Sequence, residues 1–495
     1  LSDELDGVTA VALTQRLRRR EISPVELLDL VIQRIERRNP SINAMVIFGF
    51  DEARESARRA ERAIMAGASL GPLHGLPVAM KDCNDFKPGW VSSFGGVRAL
   101  RGYVTQMACT FVERMEAAGA IVIGKTNSPI FGFRGTCDNY LFGPSRNPFN
   151  LAKNTGGSSG GSAAMVADGL LPLAEGTDGG GSIRIPSSWC GVYGYKAAFG
   201  RVPRVTRPNA FGSTTPFSFE GSITRTVEDA ALALTVLAGY DSRDPFSLDG
   251  TIDPIGALAT PVAGWKVAYS RDLGVFPVDP EVLRVTDQAV LALRDAGAHV
   301  EEVKPRINRS QHELSDAWCR LAVQNLLLAL DGFKREGIDL LGEHAADLPP
   351  ELHALLRTGQ SMSAQDLYRD QTVRTEVLDA VRVVLDDYRL LITPTLACLP
   401  VDNAHDGNTL GPSEINGEAV DPLIGWCMTY PINFTGHPAA SVPAGLSADG
   451  LPVGLQVIGR RYADADVLAA SAAIERHRPW LDTYRRCAER PLTVV

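Results

Sequence analysis

Between positions 154 and 186 the chain changes character. Two glycine-rich runs, Gly156-Gly-Ser-Ser-Gly-Gly-Ser162 and Glu175-Gly-Thr-Asp-Gly-Gly-Gly-Ser-Ile-Arg-Ile-Pro186, sit within one short stretch. A flexible linker would have this composition. It would not be interleaved with Ala163-Ala-Met-Val-Ala167 and Leu170-Leu-Pro-Leu173, which must be buried. Glycine-rich loops at helix starts also cradle phosphates. Neither the P-loop pattern nor G-x-G-x-x-G in its strand–helix unit is present, so that reading is weak. What remains is a pair of tight loops held in a core, where backbone N–H groups lie open to close approach.

The surrounding pattern is that of an α/β protein. Ser23-Pro24 offers a cap and a first-turn proline, and Val25, Leu27, Leu28, Leu30, Val31, Ile32 and Ile35 follow at helical spacing. Helices are predicted over 51–65, 110–118, 226–238, 280–296, 363–388 and 464–476. Short apolar strands are predicted at 76–80, ending at Lys81, and at 120–123, 390–393 and 452–458. Strands alternating with helices imply a sheet covered by helices. No repeat or low-complexity linker divides the chain. It reads as a single domain over 1–495, with a core at about 65–245 and 385–480 and a variable, cap-like insert over about 250–385.

Bulk properties narrow the partners. A net charge of -9 argues against nucleic acid as the main partner. The basic run at 16–20 lies in a helical pattern and reads as a solvated face. No apolar run has membrane-spanning length. The eight cysteines form no C-x-x-C pair and no Cys/His cluster with metal spacing. Free thiols in a reducing compartment, hence a cytoplasmic location, are expected. The acidic N-terminus lacks the pattern of a signal peptide; it also lacks an initiator Met, which leaves a trimmed leader open.

Two catalytic readings of the glycine-rich segment compete. Gly156-x-Ser158-x-Gly160 formally matches a nucleophile elbow. An elbow needs a histidine base; His437 is the best candidate, but Gly436-His-Pro438 reads equally well as a turn. An elbow also leaves the second cluster without a role. In the other reading, Gly179-Gly-Gly-Ser182 presents successive N–H groups that could hold a developing oxyanion. Ser182, at the end of that nest, is then the nucleophile. Lys81, preceded by five uncharged residues, is its base, since burial favours the neutral amine of a lysine.

Taken together, Gly71-Pro-Leu-His-Gly-Leu-Pro-Val-Ala-Met-Lys-Asp82, Gly124-Lys-Thr-Asn127, Arg146-Asn-Pro148, the two glycine-rich runs, Cys190-Gly-Val-Tyr-Gly194, Thr226-Val-Glu-Asp229 and Gly436-His-Pro-Ala-Ala-Ser441 resemble the amidase signature family of serine amidohydrolases. The resemblance implies that family's fold, a large central mixed β-sheet covered on both sides by α-helices. It also implies a Lys–cis-Ser–Ser triad, here Lys81, Ser158 and Ser182. Ser158 follows a cis Gly157–Ser158 bond and relays a proton between the other two. The backbones of Gly179, Gly180, Gly181 and Ser182 become the oxyanion hole, with Asp178 and Arg184 bracing the loop. One departure is Gly179, where relatives often carry a side chain; it puts the rigidity of the loop in doubt and suggests a roomier acyl pocket.

The implied activity is hydrolysis of a small carboxylic amide, acyl or aryl, through a serine acyl-enzyme, with carbamates and esters as side substrates. No cofactor and no metal are expected. The alternatives are a glutaminase component of an amidotransferase and an elbow-type esterase. Glutamine is disfavoured because Trp426 stands where that branch has an acidic residue to hold the ammonium. Phe131, Phe133, Tyr140, Cys319, Trp426, Tyr430 and Phe434, with Cys427, are candidates for the pocket wall, each with core packing as the competing reading. Relatives are commonly homodimers, but nothing in this sequence fixes a self-complementary face.

Overall fold

A computed structural model describes residues 7–83 and 85–492. Eleven strands form one mixed sheet. In chain order they are β1 (Met45–Phe48), β2 (Pro77–Lys81), β3 (Ile121–Thr126), β4 (Leu173–Asp178), β5 (Tyr193–Lys196), β6 (Phe219–Thr224), β7 (Lys266–Tyr269), β8 (His299–Glu302), β9 (Leu390–Pro394), β10 (Ala439–Leu446) and β11 (Pro452–Gly459). Across the sheet the order is β1-β3-β2-β4-β6-β5-β10-β11-β9-β7-β8. The strands β3, β2 and β4 run parallel, the centre from β4 to β9 is antiparallel, and β9, β7 and β8 are parallel again. Helices flank this sheet, as expected of the amidase signature fold.

Local chemistry sets several helix starts. Helix α1 (Pro24–Ile42) starts in a capping box: the Glu26 N–H donates to Ser23 Oγ (3.1 Å) and the Ser23 N–H to Glu26 Oε2 (2.8 Å). Its Leu27, Leu28, Val31, Ile32 and Ile35 are buried, as the periodicity requires. Two glycine-flanked helices lie against the sheet, α2 (Gly160–Ala167) and α3 (Arg184–Trp189), and both are buried throughout. The stretch expected to form an insert divides into two parts. Strands β7 and β8 extend the sheet at its edge, whereas α4 (Gln311–Arg335), α5 (Pro350–Ser361) and α6 (Ala364–Asp387) are helical.

The apolar interior falls into two clusters. The larger packs around the sheet and includes Trp189, Tyr193, Trp426 and Tyr430. The smaller joins Phe94, Val97, Ile130 and Phe133 to Val323, Leu330 and Phe333 of α4 and to Leu352 and Leu356 of α5. The glycine-rich loops lie where these two clusters meet. Among the described residues no helix is long and apolar enough to cross a membrane. The eight cysteines are free thiols, seven of them buried.

Candidate active site

Strand β2 delivers Lys81 into the protein, where it is 1% exposed. Its Nζ donates to Ser158 Oγ at 2.7 Å and to Thr177 Oγ1 at 2.8 Å. Ser158 follows a cis Gly157–Ser158 peptide bond, and its hydroxyl faces Gly132, where a Cβ would come within 3.1 Å of Ser158 Oγ and 3.3 Å of Cys83 Sγ. The absent side chain at Gly132 therefore keeps the relay position open. The Ser159 N–H donates to the Ser182 carbonyl at 3.2 Å, which ties the two glycine-rich runs together. Lys81, Ser158, Thr177 and Ser182 line one cleft of about 490 Å³.

The loop that carries Ser182 is braced from below. The Asp178 carboxylate accepts the N–H groups of Gly181 (2.9 Å) and Ile183 (3.2 Å) and pairs with Arg184 through Nε (3.0 Å) and Nη2 (2.8 Å). Arg184 donates further to the Thr429 carbonyl, Gln456 Oε1 and Asn433 Oδ1, and Asn433 Nδ2 returns to Asp178 Oδ1 at 2.9 Å. Every donor of this buried cluster faces an acceptor, which is the condition for burying an ion pair without destabilising the fold. Burial pushes the Asp178 carboxyl up, but the Arg184 guanidinium outweighs it and holds the group at about 2. At Gly181 φ is +123°, and a side chain there would overlap Thr429; only glycine satisfies both conditions.

The carbonyls of this loop are also taken. Trp318 Nε1 donates to the Gly179 carbonyl at 3.0 Å and Thr429 Oγ1 to the Gly180 carbonyl at 2.7 Å. With both carbonyls so held, the N–H groups of Gly179, Gly180 and Ser182 find no protein acceptor among the described residues, and all three residues line the cleft. The expected donor set needs one correction. The Gly181 N–H belongs to Asp178 and does not face the cleft.

One wall of the cleft is apolar, whereas Arg204, Arg207, Glu220, Arg335 and Glu336 line it elsewhere. Phe131 and Phe133 line it, as the sequence suggested, together with Phe94, Trp318, Val323 and Phe333. Phe94 is the hub, with ring centroids at 5.0 Å to Phe333, 5.6 Å to Tyr103 and 5.8 Å to Phe131. Both Phe94 (φ +55°) and Phe131 (φ +50°) have left-handed backbones, joined by a hydrogen bond from the Phe131 N–H to the Phe94 carbonyl (2.8 Å).

Five other candidates do not reach the cleft, and neither does Cys427. Trp426 is fully buried, stacks on Trp189 at 4.7 Å and donates its indole N–H to the Pro422 carbonyl. Tyr430 and Phe434 pack edge to face in the same core, Cys319 faces that core from α4, and Tyr140 lies outside the cleft under Arg98. Their aromatic or apolar character is used for packing. Trp318, Thr177 and Thr429, none of them among those candidates, hold the site. No histidine lines the cleft. His437 is buried, its Nδ1 is hydrogen-bonded with Thr435 Oγ1 at 2.7 Å, and burial pushes its imidazole down to about 3. The histidine base that an elbow requires is therefore missing.

The family profile described as Amidase matches residues 26–468. The chain belongs to the amidase signature family. It is 36% identical over 483 residues to an acylamidase of Rhodococcus erythropolis, covering 97% of each chain. It is 34% identical over 494 residues to a glutamyl-tRNA(Gln) amidotransferase component of Moorella thermoacetica, covering 96% of this chain and 97% of that one. Among solved structures, a bacterial aryl acylamidase of the amidase signature family superposes with a TM-score of 0.97 at 49% identity, covering 99% of this chain and 100% of that one. A 6-aminohexanoate cyclic dimer hydrolase with bound substrate superposes with a TM-score of 0.82 at 28% identity, covering 96% and 98%. This amidase hydrolyses the C–N bond of carboxylic amides.

Proposed function

We propose that the amidase cleaves small acyl and aryl amides with Ser182 as nucleophile, Ser158 as proton relay and Lys81 as base. The observation that carries this reading is the Lys81 Nζ–Ser158 Oγ hydrogen bond of 2.7 Å at the floor of a cleft that Ser182 shares. Ser182 Oγ attacks the amide carbonyl while its proton passes through Ser158 to Lys81. The N–H groups of Gly179, Gly180 and Ser182 take the charge that develops on the carbonyl oxygen. The proton returns through Ser158 to the leaving nitrogen, the C–N bond breaks and an acyl-Ser182 ester remains. Water, deprotonated along the same route, attacks the ester and releases the carboxylic acid. Asp178 and Arg184 act only by holding the loop.

The aromatic wall supports a substrate with an apolar acyl or aryl group, as do the acylamidase and aryl acylamidase relatives. Glutamine hydrolysis within an amidotransferase is the weaker reading: the acylamidase at 36% identity and the aryl acylamidase structure at 49% are more similar to this chain than the amidotransferase component at 34%. We also propose that the chain works in the cytoplasm as one domain, on a small molecule and without nucleic acid or membrane. The test is a fluorophosphonate probe with peptide mass spectrometry. Label on Ser182 that disappears in Lys81→Ala is the expected result. Label on Ser158, or full activity in Lys81→Ala, would overturn the assignment.

A further inference from the structure

Beneath Lys81 lies a buried acidic pair that the mechanism above does not use. Residues 175 and 177 of β4 face the same side of the sheet, by the two-residue period of a strand. Thr177 holds the lysine's Nζ, and Glu175 Oε2 accepts the lysine's own backbone N–H at 2.9 Å. Asp85, four residues beyond Lys81, comes up beside Glu175, and both side chains are fully buried. The remaining oxygen of Glu175 and both oxygens of Asp85 receive no N–H or O–H donor from any described residue. A carboxylate oxygen of each lies within 4.8 Å of the other. Two ionised carboxylates cannot satisfy one another, since each only accepts; one proton between them turns the contact into an O–H···O hydrogen bond.

We infer that Asp85 and Glu175 share one proton and so keep a single fixed negative charge behind Lys81, where it sets the acid limb of the amidase's pH profile. This inference rests on Lys81 being the base. Both residues act through Lys81, as positioning residues. Burial raises the proton affinity of both carboxyl groups, and the charge of Asp85 raises that of Glu175 further, as sharing requires.

The charged and titratable surroundings leave that charge directed at the lysine. Lys125 is committed to Ser92, to the Asp85 carbonyl (3.0 Å) and to Asp82 (3.7 Å). Glu220 accepts the Phe111 N–H at 3.1 Å and lies 3.7 Å from Arg204; burial pushes its carboxyl up to about 7. Cys83 and Cys109 adjoin the pair, and burial pushes both thiols up. Cys109 Sγ lies within 4.8 Å of the carboxylate oxygens of Asp85 and Glu175, a grouping that could also receive a divalent cation.

The test uses the full chain with Asp85→Asn, Glu175→Gln and the double variant. It follows the pH profile of kcat/KM on a chromogenic acyl anilide and the infrared carbonyl stretch of protonated carboxyl groups. An amide can stand in for the protonated partner, so each single variant should keep the acid limb of the profile within a few tenths of a pH unit. Each should also lose one protonated-carboxyl band, which appears as a positive feature in the wild-type-minus-variant spectrum. The double variant loses the charge, and the acid limb should move down by about one pH unit. An active double variant with an unmoved limb, or single variants that remove no band, would overturn the inference. So would a stoichiometric divalent metal found by elemental analysis of the wild type and lost in either single variant. The infrared arm needs neither activity nor a stable double variant. It can be read even if Lys81→Ala proves active, which would refute the base and leave the shared proton standing.

Discussion

The floor and the wall of the cleft are built on opposite principles. The floor is polar and buried, and its conformation is fixed by directional bonds: Asp178, Arg184, Asn433, Gln456 and Thr429 form one network beneath the Ser182 loop. The wall is apolar and belongs to the smaller cluster, in which rings from the loops near 94 and 131 lean on Phe333 of α4. Hydrogen bonds are intolerant of displacement, whereas dispersion contacts average over many atoms. The floor should therefore govern the rate of the chemical step, and the wall should govern which amide is bound.

The largest effect belongs to the floor. Ser182→Ala should lower kcat by about 10⁴-fold or more with the thermal midpoint unchanged; a smaller loss would mean that another group attacks the carbonyl. Next comes the brace. Asp178→Ala leaves the Arg184 guanidinium buried without its carboxylate and should cost about 3–5 kcal/mol in denaturant unfolding. The same pair predicts a pH dependence. The Asp178 carboxyl is held at about 2 in the folded chain against an ordinary 3.8, so its contribution is complete above about pH 4 and is lost as the pH falls from there toward 2. Unfolding midpoints of wild type and Asp178→Ala should converge over that interval; parallel curves would remove the ion pair from the account.

The wall should respond differently. Phe131→Ala should raise KM for an aryl amide about tenfold and leave kcat within about threefold, the size of one lost apolar contact in a pocket. A fall in kcat with KM intact would erase the distinction between floor and wall. Trp318 tests their junction, because its ring belongs to the wall and its N–H holds the Gly179 carbonyl. Trp318→Phe keeps the ring and deletes the donor, and kcat should drop about three- to tenfold, the worth of one hydrogen bond. The smallest change is expected from Gly179→Thr. A Cβ there would meet nothing nearer than Ser218 Oγ at 4.0 Å, so stability should hold. Only bulky acyl groups should lose kcat/KM relative to acetyl.

The same contrast explains what the sequence revealed. The heart of the floor is local: Gly156–Ser162 and Glu175–Pro186 carry both loops, both hydroxyls and the Asp178–Arg184 brace, so spacing alone marks them, whereas Lys81, Thr429, Asn433 and Gln456 arrive from distant segments. The wall is assembled from residues near 94, 131, 318 and 333, and no local pattern distinguishes an aromatic that faces a cleft from one that faces a core. Trp426 and Tyr430 illustrate this, since stacking on Trp189 and packing against Phe434 account for them fully. Thr177 is within reach of the sequence, because strand alternation places it on the face of Glu175. Helices with caps, such as α1 and α6, fall where Ser23 and Ser363 start them. Strands β7 and β8 leave little trace because each has only four residues, and His299-Val-Glu-Glu302 at the open edge has almost no apolar face to show.

The left-handed pair Phe94 and Phe131 gives the protein engineer a specific constraint. A β-branched residue at either position, however well matched in volume, conflicts with a backbone at positive φ. Asparagine or glycine accepts that backbone and preserves the hydrogen bond between the two loops. A library meant to reshape substrate preference should therefore vary Val323, Leu326 and Phe333 on the helix freely, and offer positions 94 and 131 a restricted alphabet.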